Sequence, residues 1–396
     1  EKVRFGIVGL GNQGTLYTKF LTGMMENKPI ENGVLAAVCD VKPERIAAIK
    51  ELLGEAADKI AYFDDAETMF KSGLIDIAMI ETPHYDHPSL AIKALEAGIH
   101  CCVDKPAGVY TKQVREMLAA AEKSDKILGI MFNQRTNPLF RKMRDMIAGG
   151  EIGEIKRTNW IITDWYRTQI YYDSGDWRGT WAGEGGGVLY NQAPHQLDLL
   201  QWIVGMTPAS VRAFCHNGKW HDIEVEDDVT AYMEWPNGAT GVFITTTADA
   251  PGSNRFEITG TKGTLICEKG TLTFTKLATD EREHCVNSEK PFARPEATTE
   301  VLEITPNEPN RDQHAGILNN LANAILGIEP LYAPAKDGIN GVALANAMHL
   351  SAWLDKTVEM PFDDDLFFGL LSERIKTSRH KDAVKNVGEQ DMSKSF

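Results

Sequence analysis

Cysteines, positive charges and long apolar runs are all scarce in this chain of 396 residues. Its six cysteines form no CxxC pair and no regular spacing, which excludes a disulfide framework, so we expect reduced thiols packed among apolar residues. No uncharged apolar run approaches the ~18 residues that a membrane span needs. With 41 Lys and Arg against 56 Asp and Glu, the net charge of −15 disfavours nucleic acid and anionic membranes as partners.

The length predicts two domains, because one domain commonly contains ~150 residues. Hydrophobic residues make up 43% of the chain and charged residues 24%, values typical of a globular protein, which excludes disorder and collagen. An apolar strand pattern follows Glu1-Lys2 directly, without the layout of a secretory signal, so we expect a cytoplasmic protein.

Short apolar runs and helical stretches alternate through the first third of the chain. The apolar runs are Val3–Val8, Val34–Cys39, Ile75–Ile80, Ile99–Val103 and Ile127–Ile130. The helical stretches between them begin near Gly14, Pro43, Pro88 and Thr111. This alternation predicts an α/β fold with a doubly wound parallel sheet, the Rossmann type, over residues 1–132.

The pattern changes after Phe132, and residues 133–396 are predicted to form a second domain. Strand-like runs then follow one another at short spacing: Ser210–Cys215, Val229–Trp235, Thr240–Thr247, Arg255–Thr259, Gly263–Cys267 and Thr271–Thr275. Helical patterns return at His314–Leu326 and Asp337–Leu354. We therefore expect an α+β domain with a large, mostly antiparallel sheet.

The first chemical motif is the glycine-rich turn Gly9-Leu10-Gly11-Asn12-Gln13-Gly14, which joins a strand to a helix. In this context the first glycine permits a tight turn, the second a close approach to a pyrophosphate, and the third close packing of helix against strand. The helix N-terminus then faces the anion. The motif predicts binding of NAD, although a simple flexible turn would carry the same glycines.

Asp40 ends the second predicted strand, somewhat farther from the glycines than the usual ~20 residues, with the loop 26–33 as the expected insertion. A carboxylate at this position accepts hydrogen bonds from both ribose hydroxyls and repels a 2′-phosphate, which favours NAD over NADP. The alternative is that Asp40 caps the helix that follows.

Polar residues follow two further strands, at the sheet edge where ligands bind. After Ile80 come Thr82, Pro83, His84 and His87, whose polar groups we expect to border the cofactor. The His-x-x-His pair could instead hold a metal, but no third ligand has suitable spacing, so we predict no metal site. Asp104-Lys105-Pro106 follows the next strand, and an ammonium beside a cationic nicotinamide would have a lowered pKa suited to proton transfer.

Three glycines, 185–187, precede a second cluster of polar residues. Because Pro194 is tolerated only in a first helical turn, we expect the helix to begin near Asn191 and to end at Gly205. His195 would then lie near the helix N-terminus, where the dipole favours the neutral imidazole that accepts protons. Asn191, His195 and Asp198 would share one helix face. A structural histidine is the alternative.

These motifs together resemble the glucose-fructose oxidoreductase, inositol dehydrogenase and rhizopine-catabolism family of NAD(P)-dependent sugar oxidoreductases, from Gly9 to about Leu354. The resemblance implies a catalytic role for Lys105 in Asp104-Lys105-Pro106, where the family usually has Glu-Lys-Pro, and for His195. The family's common aspartate is Asn191 here, as in subgroups that resemble glucoside 3-dehydrogenases. The resemblance also implies homo-oligomers through the sheet, substrate contacts from Asn191 and His314, and cofactor contacts from Thr82, Pro83, His84, His87, Asp104, Lys105, Trp177 and Arg178.

Two compositional features adjoin these motifs. Seven aromatics lie within 160–181: Trp160, Trp165, Tyr166, Tyr171, Tyr172, Trp177 and Trp181. With Arg167 and Arg178 they suit a sugar, or a sugar with a bulky aglycone, although a packed core or subunit interface is an equal alternative. The acidic run 222–228 alternates like a solvated strand edge and not like a metal site.

The expected reaction is NAD-dependent oxidation of a secondary ring hydroxyl, with C-3 of a glucoside favoured, in which Lys105 and His195 take the hydroxyl proton. Three alternatives stay open. They are a glycosidase that oxidises its substrate transiently, an oxidoreductase that exchanges hydride between two sugars on a tightly bound cofactor, and a cofactor-binding regulator without catalysis. Because a regulator has no need of Lys105 and His195, we rank it last.

Overall fold

The structure is a computed structural model, which describes residues 2–381 and 384–385. The chain divides into two units, with Glu1–Asn137 and Asn307–Val342 in unit 1 and the remainder in unit 2. The sequence division at residue 132 did not foresee this return of the chain to unit 1. The cause is a helix at Gln313–Ile325, which packs against the turn Asn133–Thr136 and against the second strand.

Fifteen strands occur in the described residues. They are β1 Val3–Val8, β2 Gly33–Cys39, β3 Ala61–Phe63, β4 Ile77–Ile80, β5 His100–Val103, β6 Leu128–Ile130, β7 Ile155–Ile162, β8 Ser210–Asn217, β9 Glu226–Glu234, β10 Thr240–Thr246, β11 Asn254–Gly260, β12 Gly263–Glu268, β13 Thr271–Leu277, β14 Ala297–Val301 and β15 Val358–Glu359.

The same residues contain thirteen α-helices. They are α1 Asn12–Leu21, α2 Pro43–Leu53, α3 Ala66–Phe70, α4 Asp86–Glu96, α5 Thr111–Glu122, α6 Pro138–Ala148, α7 Gln169–Asp173, α8 Val188–Asn191, α9 Pro194–Val204, α10 Glu281–Asn287, α11 Gln313–Ile325, α12 Gly338–Leu354 and α13 Asp364–Lys376. None of them is both long and apolar enough to cross a membrane.

Unit 1 contains a six-stranded parallel sheet in the order β3-β2-β1-β4-β5-β6. The strand order reverses between β1 and β4, and ligands of such sheets bind at the carboxyl ends of the strands at this point. The central strands are almost entirely apolar because helices cover both faces of a parallel sheet. The predicted Rossmann fold is confirmed.

Unit 2 contains a nine-stranded sheet in the order β14-β13-β12-β11-β7-β10-β9-β8-β15. All its pairs are antiparallel except β10 with β7, so the prediction of a mostly antiparallel sheet is confirmed. β7 is a strand that the sequence analysis missed, and it supplies Trp160, which is buried and stacked on Phe256 with ring centroids 4.1 Å apart. Its neighbour Ile161 points to the other face and is exposed.

The acidic run in unit 2 differs from the predicted solvated edge, because Glu226 and Asp227 are fully buried. Glu226 lies 2.8 Å from Nε2 of the equally buried His349 on α12, and it accepts a hydrogen bond from the backbone N–H of Leu189. Asp227 accepts hydrogen bonds from three consecutive backbone N–H groups and from the His221 ring. Two residues of the acidic run thus accept hydrogen bonds in the interior of unit 2.

All six cysteines have free thiols, as expected. Cys39, Cys101 and Cys102 are buried in strands of unit 1, and burial raises the pKa of each thiol. Cys285, however, lies on α10 and is exposed, so the expectation that all cysteines pack in the interior is wrong for that residue.

Candidate active site

The glycine-rich turn of unit 1 has two glycines that pack tightly and one that faces open space. Gly9 has a φ of +94°, and a Cβ there would lie 2.6 Å from the carbonyl oxygen of Glu81. A Cβ on Gly14 would lie 1.9 Å from the carbonyl oxygen of Gly9, whereas a Cβ on Gly11 would meet nothing within 4 Å. The turn therefore lies directly against the end of β4, and its open side is at Gly11.

Helix α1 begins at this open side, with Gly11 as its N-cap and Asn12 and Gln13 in its first turn. The first turn contains no acidic side chain and the N-cap makes no side-chain hydrogen bond. The N-terminal backbone N–H groups and the dipole of the helix therefore favour an anion beside Gly11. A pyrophosphate fits these residues, because a close approach is possible only where no Cβ fills the space.

Asp40 is buried at the end of β2 and holds the glycine turn in place. Its Oδ2 accepts a 2.7 Å hydrogen bond from the backbone N–H of Leu10, and its Oδ1 accepts one from Lys42 at 2.9 Å. Arg45 Nη1 lies 3.3 Å from Oδ2. The cap of α2 is Lys42, so Asp40 does not cap that helix, but its bond to Lys42 orders the turn that leads into it.

The loop after β4 contains Thr82, Pro83, His84 and His87. The His87 ring bridges two carbonyl oxygens, that of Pro106 at Nδ1 and that of Thr82 at Nε2, both at 2.8 Å. His87 therefore ties this loop to the segment after β5. Thr82 Oγ1 is buried and has no hydrogen-bond partner within the part of the chain that the structure describes, which leaves it available to a bound cofactor. Pro83 is exposed and His84 is buried near His87.

Lys105 lies at the carboxyl end of β5, next to a pair of carboxyl groups. Ile80 and Val103 are register partners in the adjacent parallel strands, which brings Glu81 beside Asp104. Burial, and then the Asp104 charge, raise the pKa of Glu81 well above its usual range. Asp104 Oδ1 accepts a hydrogen bond from the backbone N–H of Lys105 at 2.8 Å.

The rings of Tyr17 and His314 also lie in unit 1. Tyr17 is buried on α1, and burial together with Glu81 and Asp104 raises the pKa of its hydroxyl. The His314 ring lies 5.8 Å from the Tyr17 ring. Burial, with help from the positive charges of Lys28 and Lys105, lowers the pKa of His314 to about 4, so its imidazole is neutral near pH 7.

Unit 2 brings together Asn191, His195, Trp177 and Arg178. Helix α9 begins at Pro194 and ends at Gly205, so Pro194 lies in the first turn and His195 near the N-terminus, as predicted. The helix does not extend back to Asn191, which ends the separate short helix α8. Asn191, His195 and Asp198 therefore do not share one continuous helix face, because a turn at 192–193 separates the two helices.

The three glycines before α8 allow close packing of this segment. A Cβ on Gly186 would lie 2.2 Å from the Tyr190 ring, and one on Gly187 would lie 1.9 Å from the carbonyl oxygen of Glu226. Tyr190 stacks on His349, with ring centroids 5.1 Å apart, and its hydroxyl accepts a 2.6 Å hydrogen bond from Asn346. The segment before Asn191 is thus seated on β9 and α12.

The aromatic residues of the segment 160–181 differ in exposure. Trp160, Trp165, Tyr172 and Trp181 are buried, which favours the core alternative for these four. Tyr166 is exposed. The half-buried pair Tyr171 and Trp177 stacks with Arg178, whose guanidinium lies 4.4 Å and 4.7 Å from the two ring centroids.

Three buried residues near the predicted site residues were not themselves predicted. They are Tyr17 and Glu81 in unit 1 and Glu184 in unit 2. Glu184 is buried and accepts hydrogen bonds from Asn191 Nδ2 at 2.5 Å and from the backbone N–H of Gly179 at 2.7 Å. Glu81 stands directly after an apolar strand and Glu184 directly before the three glycines. A charged residue bordering such a motif is the signal that could have identified both.

Within the described residues, no group of three or more His, Cys, Asp or Glu side chains is arranged to hold a metal ion.

Comparison with known proteins identifies the family. Residues 3–132 match the sequence model of an oxidoreductase family with an NAD-binding Rossmann fold, and residues 140–266 match that of the GFO/IDH/MocA C-terminal domain. The chain therefore belongs to the GFO/IDH/MocA family of oxidoreductases, and NAD is its cofactor. The glycine turn, the open face at Gly11 and Thr82 are the features of unit 1 that fit this cofactor.

Individual relatives support the same assignment. Myo-inositol 2-dehydrogenase of Thermotoga maritima is 26% identical over 287 residues, which cover 71% of this chain and 79% of the relative. The WlbA dehydrogenase of Bordetella pertussis, solved in complex with NADH and UDP-GlcNAcA, is 26% identical with a TM-score of 0.74, covering 92% of this chain and 100% of that one. Levoglucosan dehydrogenase in complex with NADH has the same fold at 20% identity, with a TM-score of 0.74 and coverage of 92% and 100%.

Proposed function

We propose that this oxidoreductase converts a secondary ring hydroxyl of a sugar or glycoside to a ketone, with C-3 of a glucoside as the favoured position. The observation that carries the proposal is Lys105 at the carboxyl end of β5 in the NAD-binding unit, beside Glu81 and Asp104. The relatives act on or bind related compounds, since their names and titles include a myo-inositol dehydrogenase and a complex with a nucleotide sugar. When bound, NAD supplies the hydride acceptor.

Lys105 is assigned to proton transfer with the substrate hydroxyl. Asp104 accepts a hydrogen bond from the backbone N–H of Lys105, and Glu81 lies beside Asp104 at the end of the adjacent strand. His87 fixes the segment through Pro106. These contacts favour one backbone position for Lys105, and a fixed donor or acceptor lowers the barrier for proton transfer.

His195 is assigned to accept a proton at the same stage of the reaction. Its position in the first turn of α9 disfavours the protonated imidazole, because the helix dipole presents its positive end there. A neutral imidazole is the form that accepts a proton. Asn191 and His314 are proposed to contact the substrate, and Trp177 and Arg178 to border the cofactor.

NAD is proposed to bind in preference to NADP. Asp40 is buried at the end of β2, next to the glycine turn, and its charge repels a 2′-phosphate. Arg45 lies 3.3 Å from Asp40 and is half-exposed, so it offsets part of that charge. We expect NAD to bind at least tenfold more tightly, and a titration with both dinucleotides measures the ratio.

A homo-oligomer that pairs the sheets of unit 2 is also proposed. Ile161, Phe214 and Tyr232 are apolar or aromatic residues on exposed positions of β7, β8 and β9. An exposed apolar face of this kind is typical of a protein interface. Light scattering on the purified chain measures the subunit number. Phe214→Lys should lower that number.

The experiment that tests the activity is incubation of the purified protein with NAD and a panel of glucosides, free sugars and inositols. The proposal predicts NADH absorbance at 340 nm together with a ketone two mass units lighter than the substrate. A changed product without net NADH would favour the transient-oxidation glycosidase or the exchange between two sugars. Cofactor binding with no product from any compound would contradict the proposal.

A further inference from the structure

Glu184 is a buried carboxylate at the centre of the unit 2 cluster, and its two oxygens receive different donors. One oxygen accepts from the side-chain amide of Asn191 at 2.5 Å, and the other accepts from the backbone N–H of Gly179 at 2.7 Å. A carboxylate can only accept hydrogen bonds, so Asn191 must turn its NH₂ group toward Glu184. The Asn191 oxygen therefore points away from Glu184 and accepts a hydrogen bond from Gln192 Nε2 at 3.3 Å.

Further contacts hold Gln192 and the neighbouring ring in place. Gln192 Nε2 donates to the Tyr171 hydroxyl at 3.1 Å, and Arg178 Nη1 donates to the same hydroxyl at 2.6 Å. The hydroxyl oxygen of Tyr171 thus has two donors, which orient it independently of Glu184. The nitrogen of the Asn191 amide, by contrast, donates directly to Glu184, so the orientation of this amide responds to the charge of Glu184.

We propose that Glu184 is a positioning residue for the oxidation: its carboxylate holds the Asn191 amide with nitrogen inward, so that the amide oxygen can accept a hydrogen bond from the substrate hydroxyl. This inference rests on the proposed function, which assigns Asn191 to the substrate. No electron or bond is transferred by Glu184. Its effect is to favour, together with Gln192, the orientation in which the Asn191 nitrogen faces Glu184.

The charge state of Glu184 sets this orientation. Burial raises its pKa to about 6, while Arg178 and the hydrogen bonds from Gly179 and Asn191 oppose the rise. The other charged or titratable groups that face Glu184 are Glu226, which raises the pKa further, and Lys381, Tyr171 and Tyr172. When Glu184 takes up a proton on the oxygen that faces Asn191, it becomes a donor, and the amide must turn to present its oxygen inward.

The Glu184→Gln variant reproduces the protonated form at every pH. The backbone N–H of Gly179 cannot turn, so the glutamine oxygen must face it, and the glutamine NH₂ must face Asn191. We expect an acid limb near pH 6 in the pH profile of the wild type. In Glu184→Gln, kcat/KM at pH 8 should fall at least tenfold and this limb should disappear. Glu184→Asp keeps the charge and should restore part of that limb.

The matched control is Glu224→Gln. Glu224 is a carboxylate of the same unit that accepts hydrogen bonds from the backbone N–H groups of Trp181 and Arg379 but not from Asn191. This variant should keep the wild-type pH profile. If Glu184→Gln retains the acid limb, or if its loss of activity adds fully to that of Asn191→Ala, Glu184 does not act through Asn191 and the inference is overturned.

A second readout needs no substrate. The ¹⁵N–¹H resonances of the Asn191 side-chain amide, assigned by their absence in Asn191→Ala, should shift between pH 5 and pH 8 in the wild type and stay constant in Glu184→Gln. Resonances that do not shift in the wild type would contradict the inference. A shift in a protein that oxidises no sugar would support the orientation by Glu184 while refuting the proposed function, so the two failures are distinguishable.

Discussion

Two alanine substitutions in the glycine-rich turn separate folding from cofactor binding. In Gly14→Ala the new Cβ starts 1.9 Å from the carbonyl oxygen of Gly9 and must separate by about 1.5 Å to reach the 3.4 Å of ordinary contact. The obstacle is backbone, so the strain cannot be relieved by a rotamer change. We expect a loss of about 3 kcal/mol in the free energy of unfolding, which lowers the melting temperature of unit 1 by roughly 6–12 °C.

Gly11→Ala is the matched variant. Its Cβ meets nothing within 4 Å and its φ of −74° suits alanine, so the stability should change by less than about 1 kcal/mol. The methyl group occupies the space that the pyrophosphate requires, so the affinity for NAD should fall at least tenfold, or about 1.4 kcal/mol. Calorimetry measures both quantities. A Gly11→Ala protein that binds NAD as tightly as the wild type would refute the placement of the pyrophosphate at this turn.

Two further predictions concern buried titratable groups. His314 has a pKa of about 4 in the folded protein and about 6.5 in the unfolded chain, so only the unfolded chain takes up the proton as the pH falls. In urea unfolding, the free energy of unfolding of unit 1 should fall by about 2 kcal/mol between pH 7 and pH 5. In His314→Asn this fall should be about 2 kcal/mol smaller. An equal dependence on pH in both proteins would contradict the burial of a neutral imidazole. Glu226→Ala leaves His349 and the Leu189 N–H without their carboxylate, so we expect a loss of about 3–5 kcal/mol. The control Glu234→Ala, at the exposed end of the same strand, should change stability by less than about 0.5 kcal/mol, and similar losses in both variants would show that the buried pair contributes little.

The motifs that depend on local backbone geometry were predictable from the sequence. A glycine is required where the Gly9 φ is positive or where a Cβ would meet backbone, as at Gly14, and those positions carry a pattern that is visible in the sequence. The position of His195 near a helix N-terminus followed from Pro194 in the same way. Local sterics act over a few residues, so sequence spacing contains the information.

Features that depend on contacts between distant segments could not be predicted. The acidic run 222–228 begins with the alternation of a solvated strand edge, and the sequence does not show that His349 packs against Glu226 in the interior. The Glu81–Asp104 pair likewise exists because Ile80 and Val103 are in register, which the sequence does not specify. The break between α8 and α9 was missed because proline is tolerated anywhere in a first helical turn, so Pro194 did not specify that it is the first residue of α9.

The measurement that tests the central claim most directly compares Lys105→Ala with the wild type in NAD binding and in turnover of a sugar that the wild type oxidises. The account predicts that NAD still binds, since the glycine turn and Asp40 are intact. Ketone formation should fall about a thousandfold, within the range of about 10²–10⁴ that general acid–base catalysis contributes. Turnover that survives in Lys105→Ala would remove Lys105 from the chemistry and contradict the account.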